Sequence, residues 1–311
     1  MKTRVQFLIA VLIGSLAFAP FLQAQSNANR NRNRPTKPKP TFTDVRYGPH
    51  ERNVLDYWQA KSDRPTPLAV YVHGGGFRNG SKNSINVRTL KELLEAGISV
   101  AAIHYRLLAQ AKLPAAFHDS RRALQFLRSK ADDWNMDKSR VGAFGGSAGA
   151  QICMWLAFHD EMAKPDSKDS IERESTRLSA VATSGGQTTM NLNWWRENIP
   201  GYDKPHRPRA EYFGDLPQAE LLKRIGELAA MDLVSADDPP IHMSYGMKPG
   251  DPVPNDPKRA SGWKVHHVNF GVKLKEKMDA LKVEADLKHP GAKTSCKSVS
   301  EFFIRKLKTA K

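Results

Sequence analysis

Cysteine is scarce in this sequence of 311 residues, in which only Cys153 and Cys296 occur. Two thiols allow one disulfide bridge at most. Cys153 follows a Gly- and Ser-rich turn and lies in a predicted buried helix, where a small thiol packs well. We therefore expect Cys153 to be a buried free thiol.

Long apolar runs are also few. The only marked run, residues 5–19, follows the charged residues Lys2 and Arg4 and precedes Leu22-Gln23-Ala24. This order is typical of a cleaved export signal, with the cleavage site after Ala24. The alternative, an uncleaved membrane anchor, is less favoured because the run is shorter than the roughly 20 residues of a spanning helix. The sequence predicts a signal peptide at residues 1–24, a secreted or periplasmic protein and no stable membrane insertion after cleavage.

Acidic residues are absent before Asp44. Residues 25–41 are rich in Asn, Arg, Lys and Pro and predict a basic, disordered linker, although contact with an anionic polymer or membrane is an alternative. The formal net charge is +16, and seven basic residues before Asp44 leave +9 on the rest. That excess favours anionic surfaces or substrates weakly. No aromatic-interleaved basic motif is present, so no nucleic-acid partner is predicted.

Patterns of metal ligands are missing too. The histidines and acids form no cluster of the H-E-x-x-H kind. No metal and no organic cofactor is therefore predicted.

From residue 42 onward, strand-like and helix-like runs alternate. Residues 68–73 and 98–105 are nearly continuous in apolar residues, as strands buried on both faces are, and residues 87–96 and 265–281 are predicted helices. The alternation predicts an α/β domain over residues 42–311, with a mostly parallel central sheet flanked by helices. Residues 185–215 interrupt it with tryptophans and prolines and are interpreted as a cap-like insertion, or alternatively as a packed surface excursion.

The most informative motif is Gly145-Gly146-Ser147-Ala148-Gly149, which stands between a predicted strand and a predicted helix. A G-x-S-x-G in that setting is the nucleophile-elbow arrangement. The glycines allow a chain reversal in which other side chains would collide. Ser147 is therefore a candidate nucleophile.

A second motif, His73-Gly74-Gly75-Gly76-Phe77, ends an earlier buried strand. Consecutive glycines let backbone N–H groups approach an oxygen that becomes negative during acyl transfer. Gly75, Gly76 and Ala148 are the predicted oxyanion-hole donors. We expect His73 to hold the loop rather than to act as a base.

The order of these two motifs, with Tyr105-Arg106-Leu107 between them, resembles the α/β-hydrolase superfamily, in particular its carboxylesterase and lipase branch with the HGGG loop. The chain is also similar to secreted esterases of the feruloyl or acetyl-xylan type. The resemblance implies the α/β-hydrolase fold, a serine nucleophile, and a small-molecule or polysaccharide-linked ester as substrate. It also implies an acid after a late strand and a histidine near the C-terminus; it gives no oligomeric state.

The resemblance places the acid in the loop after the strand that ends near Tyr245. Asp251, in an Asp-Pro pair, fits that place, and Asp256 is a weaker rival further along the loop. Asp237 and Asp238 precede the strand and are better explained by turn formation. Asp251 is the predicted acid.

The histidine departs from the pattern of the resemblance. Lys293 and Thr294 stand where the base is expected, and His289 lies a few residues early. His289 is the preferred base, His266 or His267 is an alternative, and a chain without a competent base is the third reading. A serine without an adjacent base is a poor nucleophile.

Three functions remain open at this point. A secreted serine esterase is the preferred function. A catalytically weakened hydrolase fold that binds a ligand is the alternative, and binding of anionic polymer through residues 25–41 is a third.

Overall fold

One mixed sheet of eight strands organises the part of the chain that the computed structural model describes, residues 36–308. Its strand order is β1-β2-β4-β3-β5-β6-β7-β8. The strands are β1 (Phe42–Arg46), β2 (Val54–Trp58), β3 (Thr66–Val72), β4 (Ser99–Ile103), β5 (Met136–Gly146), β6 (Ala180–Ser184), β7 (Ile241–Ser244) and β8 (Ala285–Lys288).

Only the β1–β2 and β2–β4 pairs are antiparallel, and the remaining pairs are parallel. The predicted α/β architecture with a mostly parallel sheet is confirmed. The antiparallel edge strand β1 was not anticipated individually. The predicted signal peptide and most of the predicted linker lie outside the described residues.

Ten α-helices cover or extend this sheet within the same residues. They are α1 (Val87–Glu95), α2 (Ala115–Ser129), α3 (Ala148–Phe158), α4 (Leu192–Asn198), α5 (Arg209–Phe213), α6 (Gln218–Gly226), α7 (Ala230–Leu233), α8 (Pro257–Val265), α9 (Asn269–Ala280) and α10 (Val299–Phe303). Short 3-10 turns at Lys82–Ser84 and Ser170–Arg173 and a π turn at Ile304–Lys308 complete the elements. None of these helices is long and apolar enough to cross a membrane.

The single helix predicted over residues 265–281 is wrong at its start. Helix α8 ends at Val265, and His266 leaves the helical region with φ −115° and ψ 28°. Helix α9 begins only at Asn269. The chain breaks here because His267 and Val268 are fully buried at the junction, a tertiary demand that the local apolar pattern does not show.

The interior on both faces of the sheet is apolar. Helix α3, which follows the Gly- and Ser-rich turn, buries ten of its residues. Cys153 lies on α3 and Cys296 lies near the C-terminus, and both are buried free thiols. The expectation for Cys153 is confirmed.

The interruption after β6 carries helices α4 to α7. Trp195 in α4 and Tyr212 in α5 are buried, and both also line a cavity at the carboxyl end of the strands. The segment therefore packs on the core and borders a cavity at the same time.

Candidate active site

Ser147 occupies the sharp turn between β5 and α3. Its backbone has φ 53° and ψ −120°, a region that residues with a Cβ adopt only under strain. A Cβ on Gly149 would stand 2.1 Å from the carbonyl oxygen of Val72, so only glycine lets the helix approach β3 this closely. The G-x-S-x-G spacing thus holds the Ser147 side chain out at the carboxyl end of the strands.

The histidine next to this serine is His266. Its Nε2 lies 3.0 Å from the Oγ of Ser147, and its Nδ1 lies 2.9 Å from the carbonyl oxygen of Gly262. A carbonyl can only accept, so Nδ1 carries the proton and Nε2 is free to accept from the serine hydroxyl. This is the tautomer that a general base requires.

The structure does not bring His289 to Ser147. His289 follows β8 at the edge of the sheet, and its Nδ1 lies 3.0 Å from the carbonyl oxygen of Pro290. His267 is fully buried and accepts from the backbone N–H of Asn269. The structure thus brings His266, which the sequence offered only as an alternative, and not the preferred His289 next to Ser147.

Neither candidate acid reaches His266 in the described residues. Asp251 accepts from the backbone N–H of Lys248 at 2.8 Å and closes a turn. Asp256 accepts from the N–H of Arg259 at 2.7 Å and caps α8. Burial lowers the pKa of His267 to about 4, and the Asp251 carboxylate opposes that shift. The charge of Asp251 thus acts on the pKa of His267. The Nδ1 of His266 is bonded to the Gly262 carbonyl and not to a carboxylate.

A pair of glutamines, which the sequence did not single out, connects the serine helix to the histidine. Gln151, one turn after Ser147, donates to the Oε1 of Gln187 at 2.8 Å. Gln187 is buried and donates through Nε2 to the carbonyl of Val265 at 2.6 Å. Because Val265 directly precedes His266, this link sets the end of α8 relative to α3.

The glycine loop lies against Ser147. Gly75 and Gly76 have φ of 108° and 60°, and a Cβ on Gly74 would come within 2.6 Å of the Gly146 carbonyl oxygen. No hydrogen bond among the described residues uses the N–H of Gly75, Gly76 or Ala148. These three donors remain available to a ligand oxygen.

His73 fixes the start of the glycine loop by its contact with Gly74. It is buried, stacks on Tyr105 with ring centroids 4.2 Å apart, and its Nδ1 lies 2.8 Å from the Gly74 carbonyl oxygen. Arg52 approaches its Nε2 at 3.4 Å. Burial, followed by the nearby positive charge of Arg52 and the neighbouring His104, lowers the pKa of His73 to about 4 although its bond to Gly74 opposes the shift. His73 is thus a neutral structural group.

The glycine loop is also fixed by a residue of the insertion after β6. Arg207, from the insertion after β6, donates to the Gly76 carbonyl at 2.9 Å. A Cβ on Gly76 would stand 2.7 Å from the same guanidinium nitrogen. The insertion therefore contacts the glycine loop directly, and no sequence motif pointed to Arg207.

A cavity of about 620 Å³ opens over Ser147 and His266. That size suits a small-molecule ligand. Its apolar wall consists mainly of Phe77, Met190, Leu192, Trp195, Tyr212, Phe213 and Val265. Most of this wall comes from residues 185–215, so the predicted cap borders the site.

The comparisons with known proteins agree with this architecture. The BD-FAE family model matches residues 55–256, a region that contains both glycine motifs and ends before His266. Esterase LipQ of Mycobacterium tuberculosis is 25% identical over 226 residues, which cover 70% of this chain and 51% of that protein. The probable isoprenylcysteine alpha-carbonyl methylesterase ICMEL2 of Arabidopsis thaliana is 31% identical over 150 residues, covering 48% of this chain and 35% of that protein. The chain thus spans a third to a half of the length of these relatives.

Two solved structures share the fold. A truncated carbohydrate esterase from gut microbiota superposes with a TM-score of 0.66 at 20% identity and covers 86% of this chain and 96% of its own. An acetyl ester-xyloside bifunctional hydrolase from Caldicellulosiruptor lactoaceticus gives a TM-score of 0.59 at 21% identity, with 76% of each chain covered. The predicted α/β-hydrolase fold is confirmed.

Proposed function

This chain belongs to the BD-FAE family, and on that premise we propose that it is a serine hydrolase that cleaves carboxylic esters. The observation that carries the proposal is the 3.0 Å approach of His266 Nε2 to Ser147 Oγ on a nucleophile elbow. A serine becomes an effective nucleophile when a base accepts its proton. The curated relatives named above are described as esterases, which agrees with this reaction.

In the first half of the reaction, Ser147 Oγ attacks the ester carbonyl carbon and His266 Nε2 takes the hydroxyl proton. The carbonyl oxygen becomes an anion held by the N–H groups of Gly75, Gly76 and Ala148. His266 then gives the proton to the departing alcohol, and an acyl group remains on Ser147. A water molecule repeats the sequence and releases the acid.

The imidazolium formed during each half needs stabilisation. Within residues 36–308, no carboxylate or asparagine side chain hydrogen-bonds to His266, and its Nδ1 donates to the Gly262 carbonyl. His266 also caps the C-terminus of α8, where the helix dipole favours a positive charge by typically 0.3–1 kcal/mol. We infer that the C-terminal end of α8 supplies part of the electrostatic stabilisation of the imidazolium that a carboxylate supplies in a full triad.

The alternative of a ligand-binding protein without a base loses its support, since it rested on the missing histidine after β8. We propose small acyl esters as substrates, including acyl groups on polysaccharides. Export to the periplasm or the medium remains part of the proposal and rests on residues 1–24. Cell fractionation with N-terminal sequencing tests it: we expect a protein outside the cytoplasm that begins at Gln25, and a protein confined to the cytoplasm with Met1 intact would contradict it.

A fluorophosphonate probe together with 4-nitrophenyl acetate tests the reaction. We expect the mature protein to be labelled and to release nitrophenol, and both signals to disappear in Ser147→Ala. Wild-type protein that folds but neither labels nor turns over would overturn the proposal.

A further inference from the structure

The cavity over Ser147 is positively charged. Its lining contains Arg207, Arg209 and His206 but no aspartate or glutamate. Partial burial, followed by the positive charge of Arg207 and the nearby His266, lowers the pKa of His206 to about 4, although the Glu211 carboxylate opposes the shift. At neutral pH the positive charge of the lining therefore resides on the two arginines.

Neither arginine is neutralised by the protein. Arg207 donates to the Gly76 carbonyl and lies 3.4 Å from the Tyr212 hydroxyl, and both partners are uncharged. The Arg209 guanidinium makes no hydrogen bond or ion pair within residues 36–308. Glu211, the acid closest to them in sequence, is held by Arg78 at 3.1 Å.

An unpaired cation at such a position is costly. Arg209 is half-buried, and burial together with the neighbouring positive charge of Arg196 lowers its pKa. Removing a charge from water without a partner is unfavourable, and the second positive charge on the same cavity adds to the cost. A negatively charged ligand would offset both the cost of desolvating Arg209 and the repulsion between the positive charges.

Building on the serine hydrolase proposed above, we propose that the preferred ester carries a carboxylate, which Arg209 binds while the ester carbonyl lies at Ser147. The guanidinium is planar and matches a carboxylate with two parallel hydrogen bonds. Arg207 has one nitrogen engaged by Gly76 and adds charge from the side of the glycine loop. The apolar wall of Trp195 and Phe213 accommodates the carbon skeleton between the two ends.

Two pairs of substrates distinguish where the carboxylate sits. 4-Nitrophenyl hemisuccinate and 4-nitrophenyl 4-methylpentanoate differ only in having a carboxylate or an isopropyl group on the acyl side. 4-Acetoxybenzoate and its methyl ester place the difference on the alcohol side. For each pair the ratio of kcat/KM, anionic over neutral, is measured after subtraction of spontaneous hydrolysis.

We expect Arg209→Gln to lower this ratio about tenfold or more in at least one pair, the loss typical of one charge-assisted hydrogen bond. Arg209→Lys should restore part of it, and added salt should reduce the wild-type ratio. Lys223→Gln removes one exposed positive charge from α6, away from the cavity lining, and should leave the ratio within about twofold. A ratio that Arg209→Gln leaves unchanged in both pairs overturns the inference.

The two proposals fail in different ways. If neutral esters are hydrolysed but Arg209→Gln leaves the ratio of kcat/KM for anionic over neutral esters unchanged, only the carboxylate inference is wrong. If no ester is hydrolysed, calorimetric binding of 4-hydroxybenzoate still decides the inference. Binding that is lost in Arg209→Gln supports it, and absent or unchanged binding rejects it.

Discussion

His266 Nε2 lies 3.0 Å from Ser147 Oγ although 119 residues separate them in the chain. The serine stands on a turn fixed by the sheet, whereas the histidine stands at the end of α8, before the last strand. The histidine beside Ser147 therefore comes from the region between β7 and β8 and not from the segment after β8.

His266→Ala should lower kcat for 4-nitrophenyl acetate by at least about 10³-fold, because the serine loses the group that accepts its proton. His289→Ala is the matched control and should stay within about threefold, since the His289 ring bonds to the carbonyl of the adjacent Pro290 and not to Ser147. Steady-state kinetics on both variants decide the assignment. The reverse pattern, with activity lost in His289→Ala and kept in His266→Ala, would restore the sequence-based choice.

Asp251→Asn should change kcat by less than about fivefold, because the Nδ1 of His266 is bound by the Gly262 carbonyl and not by a carboxylate. The Asp251 side chain instead accepts from the N–H of Lys248, and asparagine preserves that acceptor. The measurement is kcat at saturating ester. A loss above about 100-fold would show that Asp251 acts on His266 during turnover.

Gly76→Ala should lower kcat about 100-fold, the usual cost of losing one oxyanion donor. Gly76 has φ 60°, and the new Cβ would stand 2.7 Å from Arg207, so the loop must shift. Gly250→Ala is the control, because a Cβ there meets nothing within 4 Å. Thermal denaturation of both variants separates loop displacement from unfolding, and a fully active Gly76→Ala would remove this loop from the mechanism.

Gln187→Leu should lower kcat about tenfold or more, because the end of α8 loses its buried bond to α3. Gln187 positions His266 and does not react. Its loss should thus reduce fluorophosphonate labelling in proportion to kcat, whereas a merely structural role would lower the melting temperature and leave the labelling rate of folded protein intact. Gln187→Glu keeps the acceptor for Gln151 but not the donor to Val265, so its kcat should stay close to that of Gln187→Leu.

Stability should fall as the pH decreases from about 6.5 to 4. The unfolded pKa of histidine is about 6.5, and burial lowers that of His73 to about 4. The unfolded chain then binds the proton first, so protonation favours unfolding throughout this window. Denaturant titrations at several pH values should show a drop that is smaller in His73→Gln, by up to about 3 kcal/mol at pH 4. An identical pH dependence in the variant would contradict the buried, neutral His73.

Local pattern was sufficient for the inner strands of the sheet, the elbow and the glycine loop, because each depends largely on residues adjacent in sequence, whereas the exposed edge strand β1 was missed. Ser147 and Gly76 are examples, since their backbone angles follow from the glycines beside them. His266 depends instead on the angle at which α8 meets α9 over the buried His267, and Arg207 reaches Gly76 only through the path of the insertion. Such contacts are set by packing between distant segments, which periodicity and turn composition do not encode.

Helix α8, which carries His266 at its end, buries none of its nine residues, whereas α3 behind Ser147 buries ten. The two reacting groups therefore belong to cooperative units of unequal strength. Fraying of α8 alone would move His266 away from Ser147 while every strand remains paired. On the proposed mechanism, local opening of this one exposed helix is sufficient to stop catalysis while the rest of the domain stays folded.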